Sequence, residues 1–226
     1  MVRETEKPTA ATSGADRGRG GGRTESIMKL ICIGDSLIFG YQVPREHCWT
    51  TLFSRLSGWE VVNRGISGDT TGGMLARLRR DALDLALEER SRGRASRVLV
   101  MGGGNDIFFS GTADQAKANI AAICYQLEAE GLSVLLGIPL PIDWTGTPEN
   151  WASFVDFRRA AVEMQSYSAW LRQYTQSTGI PGVDFSVDFL DSAGQVRREL
   201  LVDGIHPNQE GHRKMAERLK ASLFAG

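Results

Sequence analysis

The chain has 226 residues, of which 42% are hydrophobic and 23% charged, the balance of an ordinary globular protein. Its 26 basic and 27 acidic residues give a formal charge of −1, which provides no electrostatic attraction to nucleic acid or to an anionic membrane. No stretch approaches about 18 uninterrupted apolar residues, so the sequence predicts no transmembrane helix.

The first 27 residues differ from the rest of the chain. They combine Gly, Arg, Glu, Thr and Ser with almost no apolar side chains, which predicts a disordered N-terminal extension. They also lack the apolar core of a signal peptide. Met28 then opens MKLICIGDSL, which is typical of a natural protein start, so the folded domain is predicted to span residues 28–226. Whether residues 1–27 belong to the native start stays open.

The chain after Met28 alternates between short apolar runs and longer segments with helical spacing. The apolar runs predict strands at 29–33, 59–63, 97–101, 132–137 and 180–185. The helical spacing predicts helices at 49–56, 71–89 (in two pieces), 112–130 (capped by Thr112), 149–178 and 208–224. This alternation predicts parallel βαβ units, with helices on both faces of one sheet, in a single three-layer α/β domain.

The cysteines indicate the redox environment. Cys32, Cys48 and Cys124 are an odd number without a CxxC pair, which argues against a disulfide framework and against a zinc site. A reducing, cytoplasmic location is therefore expected, with neither a metal nor another cofactor.

Polar segments follow the predicted strands, at the edge of the sheet where ligands bind in such folds. The first three strands are followed by GDSL (34–37), NRGISGD (63–69) and GGGND (102–106), and DGIHP (203–207) precedes the last helix. A serine hydroxyl becomes a nucleophile when an imidazole removes its proton and a third group orients the ring. A backbone N–H in a glycine turn and an asparagine amide can stabilise an oxyanion.

Each of these segments has a simpler interpretation when it is taken alone. A serine after a strand is often a helix cap, GGND can be a tight turn, and His206 can be a packed histidine. Asp35 and Asp106 are expected to brace their turns. Of the other histidines, His47 has no Asp at a useful spacing, and His212 is expected to be solvated within the last helix.

Taken together and in this order, the four segments resemble the blocks of the GDSL/SGNH hydrolase family from Met28 to the C-terminus. The family's name letters fall on Ser36, Gly68, Asn105 and His206, with the acid on Asp203. The stretch VVNRGISGDTTGGMLARL (61–78) is most similar to the bacterial esterase, thioesterase and lysophospholipase branch.

This resemblance implies a flavodoxin-like α/β/α sandwich with a five-stranded parallel sheet, and ester hydrolysis through an acyl-enzyme. It implies that Ser36, Asp203 and His206 are catalytic and that Ser36, Gly68 and Asn105 form the oxyanion hole. Ile38 and Phe39 depart from the family pattern, in which smaller or polar residues are common. That departure affects only the expected shape of the pocket.

Competing motifs are missing from the sequence. It contains no GxxxxGK[ST], no HExxH and no GxGxxG after a strand, and Ile38 interrupts a GxSxG elbow around Ser36. Phosphate-binding and zinc-hydrolase interpretations therefore lack support.

Apolar residues near the motifs predict the substrate class. Ile38, Phe39, Phe108 and Phe109 are expected to line the site, with Trp144 on a nearby loop, so short- to medium-chain acyl esters are predicted. A carbohydrate acetylesterase, an acyl-CoA thioesterase or lysophospholipase, and an inactive binding module on the same fold stay open. The only partner that the sequence indicates is a small-molecule ester, and it does not indicate an oligomeric state.

Overall fold

The structure is a computed structural model, and it describes Met1 and residues 28–224. The predicted N-terminal extension, apart from its first residue, lies outside the described residues.

A parallel β-sheet forms the centre of residues 28–224. Its five strands are β1 (Lys29–Gly34), β2 (Glu60–Gly65), β3 (Ser96–Met101), β4 (Ser133–Ile138) and β5 (Gly182–Asp184), in the order β2-β1-β3-β4-β5. In the register of the sheet, Gly34 of β1 pairs with Gly65 of β2 and with Met101 of β3. The carboxyl ends of these three strands are therefore level, and the loops that follow them emerge side by side.

Helices connect the strands and cover both faces of the sheet. Those in residues 28–224 are α1 (Ser36–Phe39), α2 (Trp49–Ser57), α3 (Thr71–Leu78), α4 (Asp84–Ser91), α5 (Gly104–Ser110), α6 (Asp114–Ala129), α7 (Phe157–Thr178) and α8 (Gln209–Phe224). This is the predicted three-layer α/β architecture with a five-stranded parallel sheet. None of these helices has the length and hydrophobicity that crossing a membrane requires.

Two apolar cores lie on opposite faces of the sheet, because successive strand side chains point to opposite sides. Ile31 and Ile33 of β1 pack into one core with α3, α4, α6 and α7, whereas Leu30 and Cys32 pack into the other with α2 and α8. The inner strands β1, β3 and β4 are thus buried on both sides, which explains why they are nearly continuous apolar runs in the sequence, whereas the edge strand β2 is only partly buried.

The prediction of a helix at 149–178 is wrong for residues 149–156, about its first quarter. Helix α7 begins only at Phe157, because the Asp156 side chain accepts a hydrogen bond from the Arg159 N–H over 3.0 Å and caps it there. Glu149–Trp151 form a single 3₁₀ turn instead. The segment before α7 is therefore free to fold over the edge of the sheet.

A smaller prediction, the cap of α6, also differs from the structure. Thr112 does not cap α6, whose N-cap residue is Ala113; the Ala113 N–H donates to Glu163 Oε1 over 2.8 Å. The helix predicted at 71–89 in two pieces is present as α3 and α4, which one π-helical turn, Arg79–Leu83, joins.

Candidate active site

Ser36 is the first residue of α1, at the carboxyl end of β1. The Asp35 carboxylate caps this helix by accepting a hydrogen bond from the Leu37 N–H over 2.9 Å. The helix lies directly against β2, since a Cβ atom on Gly65 would lie only 2.2 Å from the Phe39 nitrogen. Backbone packing and a cap thus fix the serine in place.

Ser36, His206 and Asp203 form a hydrogen-bonded chain. Ser36 Oγ lies 2.9 Å from His206 Nε2, and His206 Nδ1 lies 2.8 Å from Asp203 Oδ2. All three residues are more than nine-tenths buried. This is the geometry that a hydroxyl nucleophile, a general base and an orienting carboxylate require.

The turn before α8 holds the Asp203 carboxylate. Asp203 Oδ1 accepts hydrogen bonds from the backbone N–H groups of Ile205 (3.2 Å) and His206 (2.8 Å). Burial raises the pKa of Asp203, but the hydrogen bond and charge of His206 and these two backbone bonds outweigh it and lower the pKa below its ordinary value. Asp203 is thus ionised and oriented toward the imidazole.

Ser36, Gly68 and Asn105, the three residues predicted to supply the oxyanion donors, all line one cavity. Gly68 has a φ of 80°, in the left-handed region that glycine adopts freely. Asn105 Nδ2 donates one hydrogen to the Asp69 carbonyl over 2.8 Å, which orients the amide and leaves its second hydrogen for a ligand.

The two aspartates of the motifs brace their turns, as the sequence indicated. Asp106 accepts hydrogen bonds from the Thr71 N–H (2.9 Å) and the Thr71 hydroxyl (2.6 Å), which joins α5 to the start of α3. Burial raises the pKa of Asp35 to about 6, with smaller opposing effects from the Leu37 N–H and the charge of His206.

A cavity of about 340 Å³ opens in front of Ser36. Its walls are mostly apolar and include Phe108, Phe109, Ile142, Trp151, Phe154, Val155, Phe157 and Met164. Phe108 and Phe109 lie where the sequence predicted. Such a volume and lining suit a small ligand with an apolar portion.

Ile38 and Phe39 do not line this cavity, contrary to the prediction. Ile38 is completely buried in the core beneath α1, and Phe39 is about half exposed outside the site. The reason is the helical rotation of α1, which turns Ser36 to the cavity and Ile38 back onto the sheet, where it meets Gly34. Trp144 lines a neighbouring cavity instead.

Several residues around the site were not singled out from the sequence. Trp151, Phe154 and Val155 belong to the segment that was mistaken for helix, and the Tyr41 ring lies 4.6 Å from the His206 ring. Gly146 and Pro148 before the segment, and the N-cap residue Asp156 at its end, are the sequence signals that the helix starts later.

The other two histidines lie outside the cavity lining. His47 is part of a short 3₁₀ turn, Arg45–His47. His212 is not solvated, as was expected, but completely buried between α8 and α2, where its Nδ1 accepts a hydrogen bond from the Trp49 N–H over 3.3 Å. Burial and the charge of His206 lower the pKa of His212 to about 4.

Comparison with known proteins decides the family. The family model described as "GDSL-like Lipase/Acylhydrolase family" matches residues 32–214. The chain belongs to this family. It is accordingly a carboxylic ester hydrolase, as the sequence predicted.

Named relatives match most of the chain. It is 31% identical to "Esterase TesA" of Pseudomonas aeruginosa over 88% of this chain and 89% of the relative. It is 27% identical to "Thioesterase 1/protease 1/lysophospholipase L1" of Escherichia coli K12 over 89% and 86% of the two chains. In fold it is similar to a G-D-S-L lipolytic protein from Desulfitobacterium hafniense DCB-2, with a TM-score of 0.70, 23% identity, and coverage of 86% and 99%.

Proposed function

We propose that this GDSL-family hydrolase cleaves short- to medium-chain carboxylic esters through an acyl-enzyme on Ser36. The observation that carries the proposal is the continuous hydrogen-bonded chain from Ser36 Oγ through His206 to Asp203, which ends in an apolar cavity. No cofactor takes part in the proposed reaction.

In the first half of the reaction, Ser36 Oγ attacks the ester carbonyl carbon while His206 Nε2 takes the hydroxyl proton. Asp203 stabilises the imidazolium that forms. The negative charge on the carbonyl oxygen is stabilised by the Ser36 N–H, the Gly68 N–H and Asn105 Nδ2. When the tetrahedral intermediate collapses, the alcohol leaves with the proton from His206 and the acyl group stays on Ser36.

In the second half, His206 removes a proton from water, which attacks the acyl-enzyme through the same oxyanion geometry. Collapse of this intermediate releases the carboxylic acid and returns the proton to Ser36 Oγ. Each proton taken by His206 is thus delivered within the same cycle.

The cavity walls support an acyl chain rather than a sugar as the main bound group. Phe108, Phe157, Ile142 and Met164 offer aromatic and aliphatic contacts. Burying a CH₂ group is worth about 0.8 kcal/mol, so kcat/KM is expected to increase from acetyl to butyryl esters before steric limits intervene. A hydrophobic wall offers no hydrogen bonds to the hydroxyls of a carbohydrate.

The test combines a covalent serine probe with a panel of p-nitrophenyl esters. A fluorophosphonate is expected to label the wild-type protein and Ser67→Ala but not Ser36→Ala. Ser67 is the matched control, because it lines the same cavity. Turnover by Ser36→Ala above a few per cent of wild type, with the fold intact by circular dichroism, would contradict the role of Ser36.

The chain-length panel tests the substrate class separately. Acetate, butyrate and octanoate esters are compared by kcat/KM, beside an acyl-CoA, a lysophospholipid and an acetylated xylooligosaccharide. A strict preference for acetate, with release of acetate from the sugar, would identify a carbohydrate esterase instead. A preference for the CoA thioester or the lysophospholipid would identify those activities.

A further inference from the structure

Gln42 has an unusual backbone conformation. Its φ is 65°, and no other non-glycine residue among those that the structure describes has a positive φ. In this region the Cβ atom crowds the following carbonyl, so glycine and, less often, asparagine are the residues that normally occupy it. Backbone strain at a single position is typical of a residue whose side chain has a functional role.

The side chain of Gln42 contacts the candidate acid of the site. Gln42 Nε2 donates a hydrogen bond to Asp203 Oδ2 over 2.7 Å, across 161 positions of sequence. The same oxygen accepts the hydrogen bond from His206 Nδ1, and Oδ1 accepts two backbone N–H groups. Each carboxylate oxygen therefore has two donors, and Gln42 supplies the one that comes from outside the turn 203–206.

The backbone before Gln42 starts at the nucleophile. The Gly40 and Tyr41 N–H groups both donate to the Ser36 carbonyl, over 3.0 and 3.2 Å. The Tyr41 ring then lies 4.6 Å from the His206 ring, with the two planes tilted by 53°. This short segment thus connects the position of Ser36 directly to the positions of His206 and Asp203.

We propose that Gln42 is a positioning residue, which holds the Asp203 carboxylate and through it aims His206 Nε2 at Ser36 Oγ. An amide donor suits this task because it restrains rotation of the carboxylate without neutralising its charge. The inference rests on the proposed function, since it assigns to Gln42 a part in the same reaction.

Two variants separate the hydrogen bond from the backbone strain. Gln42→Met has similar length but no donor, and Gln42→Gly also removes the crowding at φ 65°. For both, kcat is expected to fall about 10-fold with KM nearly unchanged, the size of effect expected for one hydrogen bond to a charged group. The Tm of Gln42→Gly is expected to equal or exceed that of wild type, which a merely structural role would not allow.

The third variant uses charge as the readout. Gln42→Glu places a second carboxylate beside Asp203 and so favours the protonated imidazole, which is not a base. The acid limb of its kcat/KM profile is expected to move to higher pH than in wild type, whereas Gln42→Met lacks the added charge and serves as its reference. The control Arg45→Gly, which places a glycine at an exposed position of the 3₁₀ turn that follows Gln42, is expected to keep the wild-type kcat and profile.

Wild-type kcat in Gln42→Met would overturn the positioning role. A fall in both kcat and Tm in Gln42→Gly, relative to wild type, would also overturn it. The proposed function fails by a different result, namely turnover or fluorophosphonate labelling in Ser36→Ala, so the two are distinguishable.

Discussion

Arg77 Nε donates to Asp69 Oδ2 over 2.7 Å and thereby joins helix α3 to the loop that carries Gly68. The same guanidinium donates to the carbonyls of Gly34 (2.8 Å) and Arg64 (2.7 Å), near the carboxyl ends of β1 and β2. The Asp69 carbonyl in turn accepts the hydrogen bond that orients Asn105. One buried arginine thus fixes the loops from which two candidate oxyanion donors arise.

Replacement of Arg77 by methionine is expected to affect both stability and activity. It leaves the Asp69 and Asp81 carboxylates without this partner, and breaking a buried ion pair on one side typically costs about 3–5 kcal/mol. Release of Asp69 should also lower kcat. Urea denaturation and p-nitrophenyl butyrate turnover measure the two effects, with Arg80→Met as the matched control, since the exposed Arg80 also pairs with Asp81. The same stability and the same kcat in Arg77→Met and Arg80→Met would contradict this role of Arg77.

Replacement of Asn105 by alanine tests the oxyanion donors. Loss of one such donor typically reduces kcat by about 10²–10³, because the donor acts on charge that develops in the transition state. KM is expected to change little. Steady-state kinetics on p-nitrophenyl butyrate separate the two constants, and a change in KM alone would show that Asn105 contacts the ground state only.

Replacement of Phe108 by alanine is expected to shift the preference toward longer acyl chains. The Phe108 ring packs against Phe157 with centroids 5.5 Å apart and forms part of the cavity wall. Its removal enlarges the space for a chain, so the ratio of kcat/KM for octanoate over acetate should increase. Phe109→Ala is the control, because Phe109 is 73% exposed at the edge of the cavity. An unchanged ratio in Phe108→Ala would place the acyl chain elsewhere.

Replacement of Asp35 by asparagine tests the buried carboxyl next to Ser36. Its pKa is raised to about 6 in the folded state from an ordinary 3.8, so the folded state binds more protons than the unfolded state between these values. The free energy of unfolding therefore decreases as the pH rises through this window. Asparagine keeps an acceptor for the Leu37 N–H and removes the charge.

Asp35→Asn should consequently be more stable than wild type at pH 7, by up to about 3 kcal/mol, and similar to it below pH 4. Urea denaturation at both pH values measures the difference. A difference that does not vary with pH would show that burial of the Asp35 charge has no net cost.

For the buried His212, the free energy of unfolding is expected to have the opposite pH dependence. Burial lowers its pKa from 6.5 to about 4, so the unfolded state binds more protons between these values. The associated stability is lost as the pH falls through this window, on the order of 3 kcal/mol in all. His212→Asn, in which the amide oxygen replaces Nδ1 as the acceptor for the Trp49 N–H, should lose this dependence. Urea midpoints from pH 4 to 7 check it, and an unchanged slope in the variant would refute the assignment.

Local patterns in the sequence were sufficient to predict the architecture of this protein. The inner strands β1, β3 and β4 are nearly continuous apolar runs because they are buried on both faces, and each connecting helix has its own apolar periodicity. The parallel arrangement then brings the strand ends to one edge, which is why the sequence predicts that Ser36, Gly68 and Asn105 lie at one site. Neither inference depends on the direction of an individual side chain.

Only the tertiary structure decided which side chains face the site and which support it. Ile38 turns into the core and His212 is buried between two helices. Helical rotation and packing, and not the neighbouring residues in the sequence, determine the directions of these side chains. The hydrogen bonds from Gln42 to Asp203 and from Arg77 to Gly34 join positions 161 and 43 residues apart. Contacts at such separations leave no periodic signal in the chain, since they form only after the sheet has brought its loops together.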